Sequence, residues 1–422
     1  MNPTPAIGRE LRRLEELGPL WQRSALGLGV VGLVGGAALS AWSQGLPGMF
    51  RSYIVAYAFC LSLALGGLFF VILQHLTRAG WSVVVRRIAE AVAGTMPVMT
   101  LLFLPIVVPV VMGMGDVYPW SVGHAKLESE HDSLILAKAS YLNATWFLIR
   151  WAIYFTVWTW LASFFVGRSI EQDSTGDPQL TARMQAVSAP AMIAYALTQS
   201  LAAIDLIKSL EPHWFSTMFG VYFFSGSAVG FFCLLALLMI LLQSAGRLTQ
   251  SINTEHYHDV GKLIFAFVVF WTYIAFSQYM LIWYANLPEE TIWYFARQGD
   301  GWSIGLSLFL LTGHFLLPFV TIISRVPKRN PRFLLIAAAW VLLMHYFDIF
   351  WLIKPRIEPA LENGVHAAFQ PSFAPAALAG DVAMIVGVGG LFFAAIAWRM
   401  SRAALLPERD PRLHESLAFQ NF

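Results

Sequence analysis

Residues 49–76 read MFRSYIVAYAFCLSLALGGLFFVILQHL. From Ser52 to Leu73 this stretch holds no Asp, Glu, Lys, Arg or His. At 1.5 Å per residue, a helix of that length covers a hydrocarbon core of about 30 Å. A helix also satisfies its own backbone, which an open strand in lipid cannot do. Working outward, nine more stretches meet the same test: 21–43, 87–112, 140–166, 183–208, 216–243, 260–286, 302–324, 332–353 and 375–399. The expected fold class is therefore all-α, a polytopic membrane protein of about ten transmembrane helices. The first stretch follows Arg12, Arg13 and Arg23, as a secretory signal does, but its apolar run continues to Trp42 and reads as a retained span.

Composition agrees. The chain is 57% hydrophobic and 12% charged, against about 25% charged residues in soluble domains. Too few ionised groups remain to cover a water-exposed surface of this size. A net charge of +2 gives no nucleic-acid footprint. Cys60 and Cys233 sit in separate apolar runs. Their spacing fits no zinc site, c-type haem or iron–sulfur cluster, so they read as buried thiols.

The basic residues give an orientation. Of the 27 Lys and Arg, 19 fall in the N-terminal tail, the even-numbered loops and the C-terminal tail with their helix ends. Seven fall on the opposite side, and Arg150 lies within a span. The positive-inside rule then places both termini in the cytoplasm. The expected organisation is a tail over 1–20, a membrane domain over 21–399 and a tail over 400–422. The longest outer loop, 113–139, carries Asp116, Glu128, Glu130 and Asp132. Its second half, Lys126 to Lys138, lacks Gly and Pro and reads as helical. A faint parallel repeat relates Leu73, Gln74, Arg78 and Glu90 to Leu242, Gln243, Arg247 and Asp259, each offset by 169 residues. It suggests two related bundles, about 49–208 and 216–353, flanked by spans 21–43 and 375–399.

Ionisable groups at membrane depth are costly and mark candidate sites. Arg150, Asp205, His314, His345, Asp348 and Asp381 are of this kind. His314 stands about 16 Å from Arg325 along its helix, and His345 about 20 Å from Arg332. His345 and Asp348 are three apart and share a helix face. Asp205 and Asp381 lie in the outer half. In WTYIAFSQYM, Tyr273, Ser277 and Gln278 read as a hydroxyl and amide track able to hold water. Together these residues read as a proton path. Each also has a packing role available, in which it satisfies a neighbour or a backbone carbonyl.

Other chemistries use the same residues. Asp205, His345, Asp348 and Asp381 form an alternative quinol site, in which a histidine and carboxylates take the protons as electrons leave. The chain offers no electron acceptor of its own. His314 and His345 on adjacent spans would suit a bis-histidine haem b, although their bulky neighbours Phe315 and Tyr346 weigh against it. Solute transport is a further class, but the repeat is parallel rather than inverted.

Three segments carry a family resemblance. They are LGGLFFVILQHLTRAGWSVVVRRIAE from Leu65 to Glu90; His258 through Asp259, Trp271 and Tyr273 to IWYANLPEET with Trp293, Tyr294, Arg297 and Trp302; and GHFLLPF from Gly313 to Phe319. They resemble the ActF-type membrane subunit of bacterial alternative complex III, a quinol:cytochrome c oxidoreductase, and the likeness covers nearly the whole chain. The resemblance implies an NrfD-like layout of two four-helix bundles between flanking helices. It implies a bacterial cytoplasmic membrane and no cofactor bound by this chain alone. It also implies partners: an ActC-like sister membrane subunit, an iron–sulfur subunit, haem c subunits and a neighbouring haem–copper oxidase. Menaquinol oxidation is expected in the sister subunit, with this chain as scaffold and proton path. The pair His258 and Asp259 resembles the family motif, and its place at the cytoplasmic end reads as proton entry or a turn lock.

Overall fold

A computed structural model describes residues 10–123, 132–299, 301–360, 366–369 and 374–421. Among the described residues, nine helices are long and apolar enough to cross a membrane. The first, Leu17–Leu76, has 60 residues, which would extend about 90 Å if straight. It is instead broken at Gly45, where φ is +72°, with Pro47 two residues later. Glycine accepts that left-handed backbone without a Cβ clash.

The contacts on either side of Gly45 show that the chain doubles back. Lys354 donates to Gln44 (3.1 Å) and to Ser52 (2.7 Å), so both sides of the break meet at one place. At the far ends, Gly18 lies against Ser401 and Gly80 against Glu415. The helix is thus two antiparallel spans, 17–44 and 46–76, which brings the crossings to ten. The remaining eight are Val83–Val111, Ala144–Thr175, Pro178–Leu210, Phe219–Ser244, Thr254–Ala285, Ser303–Ile322, Pro331–Ile353 and Pro375–Ser401. They are called spans 1 to 10 in chain order. Span 4 runs well past its expected end at 166, because its helix continues beyond the apolar stretch to an Arg168–Glu171 pair (2.5 Å).

Spans 2 and 6 are buried almost all round and pack on each other, with Gly66 against the Ser227 carbonyl and Phe231. A helix that is apolar on every face belongs at the centre of a bundle. Spans 3, 4 and 5 gather about span 2; spans 7 and 9 pack on span 6, and span 8 packs on spans 7 and 9. Span 1 pairs antiparallel with span 10. A short antiparallel hairpin, Arg356–Ala360 with His366–Phe369, links spans 9 and 10 and is absent from the sequence reading. In the long loop between spans 3 and 4, Ser133–Lys138 is helical with Asp132 as its cap. The rest of the expected loop helix, 126–131, lies outside the described residues, as do Glu128 and Glu130. Spans 2 and 6 end alike: Arg78 and Gly246 have positive φ, and Ala79 and Arg247 each bond the carbonyl five residues back. This offset is 168 rather than 169, so the turns correspond with a slip of one residue.

The first and last described segments lie together at one end of the bundle. The Leu405 N–H donates to the Arg12 carbonyl (2.8 Å). The C-terminal segment is folded beneath the spans rather than trailing. Asp410 binds Arg86 (2.5 Å), and Arg86 and Arg87 both reach Glu90 (3.3 and 2.9 Å). Asn421 donates to Asp259 (3.0 Å). Asp410→Asn removes one charge-assisted bond of about 1.5–3 kcal/mol. Trypsin should then cut the segment after Arg402, Arg409 or Arg412 faster than in the wild type. Equal cleavage rates would show that the Arg86 contact does not hold the tail.

At the opposite end, cations close the C-terminus of span 9. Arg297 donates to the Trp351 and Leu352 carbonyls (3.0 and 2.9 Å) and lies over the Trp293 ring. Arg51 donates to the Ile353 carbonyl (3.2 Å). Positive groups there complement both the orphan carbonyls and the helix dipole.

Candidate functional site

The polar core of the bundle lies where spans 2, 6, 7, 8 and 9 meet. Span 9 supplies His345 and Asp348, both buried. Asp348 stands about 8 Å and His345 about 12 Å from the Ile353 end of their helix. The Tyr222 hydroxyl donates to Asp348 Oδ1 (2.5 Å), and Trp271 Nε1–H donates to Oδ2 (3.1 Å). Both donors are neutral. Among the described residues no Lys, Arg or His forms an ion pair with this carboxylate.

His345 Nε2 lies 2.8 Å from Ser62 Oγ. Ser62 has one hydroxyl proton, which it donates to the Phe59 carbonyl (2.7 Å). Its oxygen therefore accepts from His345, which assigns the ring proton to Nε2. Nδ1 is left as a buried lone pair without a partner. That nitrogen faces Gly226. A Cβ at Gly226 would sit 3.2 Å from Nδ1 and 3.8 Å from Asp348 Oδ2, so the absent methyl leaves a gap beside the two groups. Gly230, one turn on, makes the same room for the other edge of the ring. Tyr222, Gly226 and Gly230 form a stripe at four-residue spacing on span 6. That stripe is the signal by which the sequence could have located this side of the site.

His314 completes the cluster. Its ring lies over Trp271 with 3.9 Å between centroids, and neither ring nitrogen has a partner. It sits in a π-helical turn, Leu311–Leu316. Pro318 lacks the N–H that would bond the His314 carbonyl, and the wider turn follows. Such turns occur often at functional sites.

The other expected site residues lie elsewhere. Asp205 is held by Arg150 through both oxygens (2.8 and 3.0 Å) and by the Tyr154 hydroxyl (2.8 Å). Asp381 pairs with Lys354 (2.8 Å), which ties span 10 to the turn between spans 1 and 2. Neither bonds His345 or Asp348, so the four residues of the alternative quinol site do not form one cluster. The expected hydroxyl track is also corrected. Tyr273 is 63% exposed and points away from the bundle. The inward face of span 7 is Trp271, Ile274, Gln278 and Ile282. Of the track only Gln278 is buried; it accepts from Ser216 (2.8 Å) and donates to Tyr294 (3.3 Å), with Ser277 half-buried beside it. His258 and Asp259 lie at the chain-end side, where Asp259 is held by Lys262 and Asn421.

A haem between His314 and His345 does not fit this arrangement. His345 is packed against Gly226 and Gly230, and Trp271 covers the face of His314. No family model matches the chain, and no curated protein matches it. What the site can do chemically thus rests on its own geometry. It holds one carboxyl group served by neutral donors and two imidazoles with open nitrogens, all inside apolar walls. Groups of this kind take up and pass protons.

Proposed function

We propose that this chain is an ActF-type membrane subunit of a quinol oxidoreductase assembly, a scaffold built around a proton-holding centre. The observation that carries the reading is Asp348: a buried carboxyl group with neutral donors only, beside the open Nδ1 of His345. A permanently ionised carboxylate is costly at that depth, so a group retained there suits proton exchange. Three segments with ActF character support the family reading. So does the gathering of spans 2–5 and 6–9 into two sets, which fits the NrfD-like pair of bundles with spans 1 and 10 as flanks. In this reading both termini are cytoplasmic in a bacterial inner membrane. Menaquinol is oxidised in an ActC-like sister subunit, and electrons leave through iron–sulfur and haem c subunits, with a haem–copper oxidase as a neighbour.

A quinol site within this chain is less well supported. Asp205 and Asp381 are already neutralised by Arg150 and Lys354, and Phe59, Gly226 and Gly230 enclose His345.

The assembly is tested by tagging the chain and purifying it from native membranes in mild detergent. A second apolar subunit, non-haem iron and a c-type haem absorption band are expected to copurify in fixed ratio. Recovery of the chain free of all three, from membranes that contain them, would overturn the family reading.

A further inference from the structure

A second built site lies outside the polar core. Between the short helix Ser133–Lys138 and the outer end of span 5 there is a cavity of about 300 Å³. Lys138, Ser140, Tyr141, Lys208, Ser209 and Pro212 line it. Lys138 spends one donor on the Pro212 carbonyl (2.5 Å), which leaves two of its three free. The Lys208 ammonium is half-buried and has no hydrogen-bond partner among the described residues. Two ammonium groups therefore share one concave site. Of the carboxylates beside it, Asp132 is occupied by His213 (2.7 Å) and Asp205 by Arg150 (2.8 and 3.0 Å).

The surface below the cavity says what kind of anion would enter. Ile204 lines the cavity, and Leu201, Leu197 and Ile193 continue its helix face down span 5, all exposed. On span 4, Trp146, Ile149 and Ile153 make a second exposed apolar stripe. A charged hollow at the level of the helix ends, opening onto apolar stripes that run into the bilayer, matches a phospholipid: phosphate in the hollow, acyl chains on the stripes. We infer that Lys138 and Lys208 bind the phosphodiester of an anionic phospholipid such as phosphatidylglycerol.

The test is native mass spectrometry of the protein, or of the assembly containing it, exchanged into detergent with short-chain phosphatidylglycerol or phosphatidylcholine. Each Lys near an anionic headgroup contributes about 1 kcal/mol, so a preference of at least about tenfold for phosphatidylglycerol is expected. The double variant Lys138→Gln with Lys208→Gln should lose that preference, and the Arg pair should keep it. Should the double variant fail to fold, Lys208→Gln alone removes no hydrogen bond and is expected to lose about fivefold. Equal affinity for the two lipids, or unchanged preference in the Gln variants, would overturn the site. Displacement of the lipid by millimolar inorganic phosphate would identify a free-ion site and overturn the lipid assignment.

Discussion

Gly387→Ala is expected to destabilise the protein by about 1–3 kcal/mol, while Gly389→Ala, two residues along the same span, is expected to leave stability unchanged. A Cβ at Gly387 would lie 2.4 Å from the Leu33 backbone nitrogen and 2.6 Å from its Cα. A Cβ at Gly389 would meet nothing within 4 Å. The two residues share composition, depth and helix, so the contrast isolates the contact. It matters because span 1 has little else to hold it. Leu28, Val31 and Val34 face outward, and lipid is as good a neighbour for them as protein. What remains is close backbone approach along Gly29, Gly32, Gly36 and Ser40 against Gly390, Gly387, Met384 and Gly380. Dispersion and Cα–H···O contacts act there only while both surfaces stay flat. Gly387→Leu should go further and release span 1 from span 10. Thermal unfolding in detergent by near-ultraviolet circular dichroism reads both variants. Equal melting of the Gly387→Ala and Gly389→Ala proteins would show that the glycine seam does not carry this pair.

The spans were legible because apolar length is a property of a short stretch of chain. The test applied to residues 49–76 needs no knowledge of neighbours. Which way a helix faces is different. Tyr273 and Gln278 are five apart on one apolar helix, and composition does not say which faces inward. The contacts of Trp271 with His314 and Asp348 decide it. Ion partners were hidden for the same reason. Asp205 meets Arg150 across 55 residues, and Lys354 meets Asp381 across the hairpin between spans 9 and 10. Both carboxylates looked like unpaired outer-half acids until the neighbouring span was known. His314 stood between Gly313 and Pro318 in plain view, but a π-helical turn is a consequence of packing as well as of a missing N–H. The sequence marks 400–422 only as a tail, whereas Asp410 and Asn421 are ligands for groups beneath the bundle.

Asp348→Asn should separate proton traffic from structure. Asparagine can keep both bonds: its carbonyl accepts from Trp271 Nε1–H, and its amide donates to the Tyr222 oxygen. The fold is therefore expected to survive, and in the proposed assembly the copurifying iron and haem should be unchanged. What asparagine cannot do is gain and lose a proton. In liposomes carrying the assembly, proton transfer through this chain is expected to fall by about 10²-fold, read as slowed acidification at constant electron input. Asp348→Leu is the structural counterpart. It leaves the Tyr222 hydroxyl and Trp271 N–H buried without acceptors, at about 1–3 kcal/mol each, and should lower the melting temperature where Asp348→Asn does not. Gly226→Ala presses on the same gap from the backbone side, since its methyl would contact His345 Cε1 at 2.9 Å. If Asp348→Asn folds, assembles and acidifies the medium at the wild-type rate, the carboxyl group is a packing residue. The chain would then be a scaffold whose polar core serves only to align spans 6, 7 and 9.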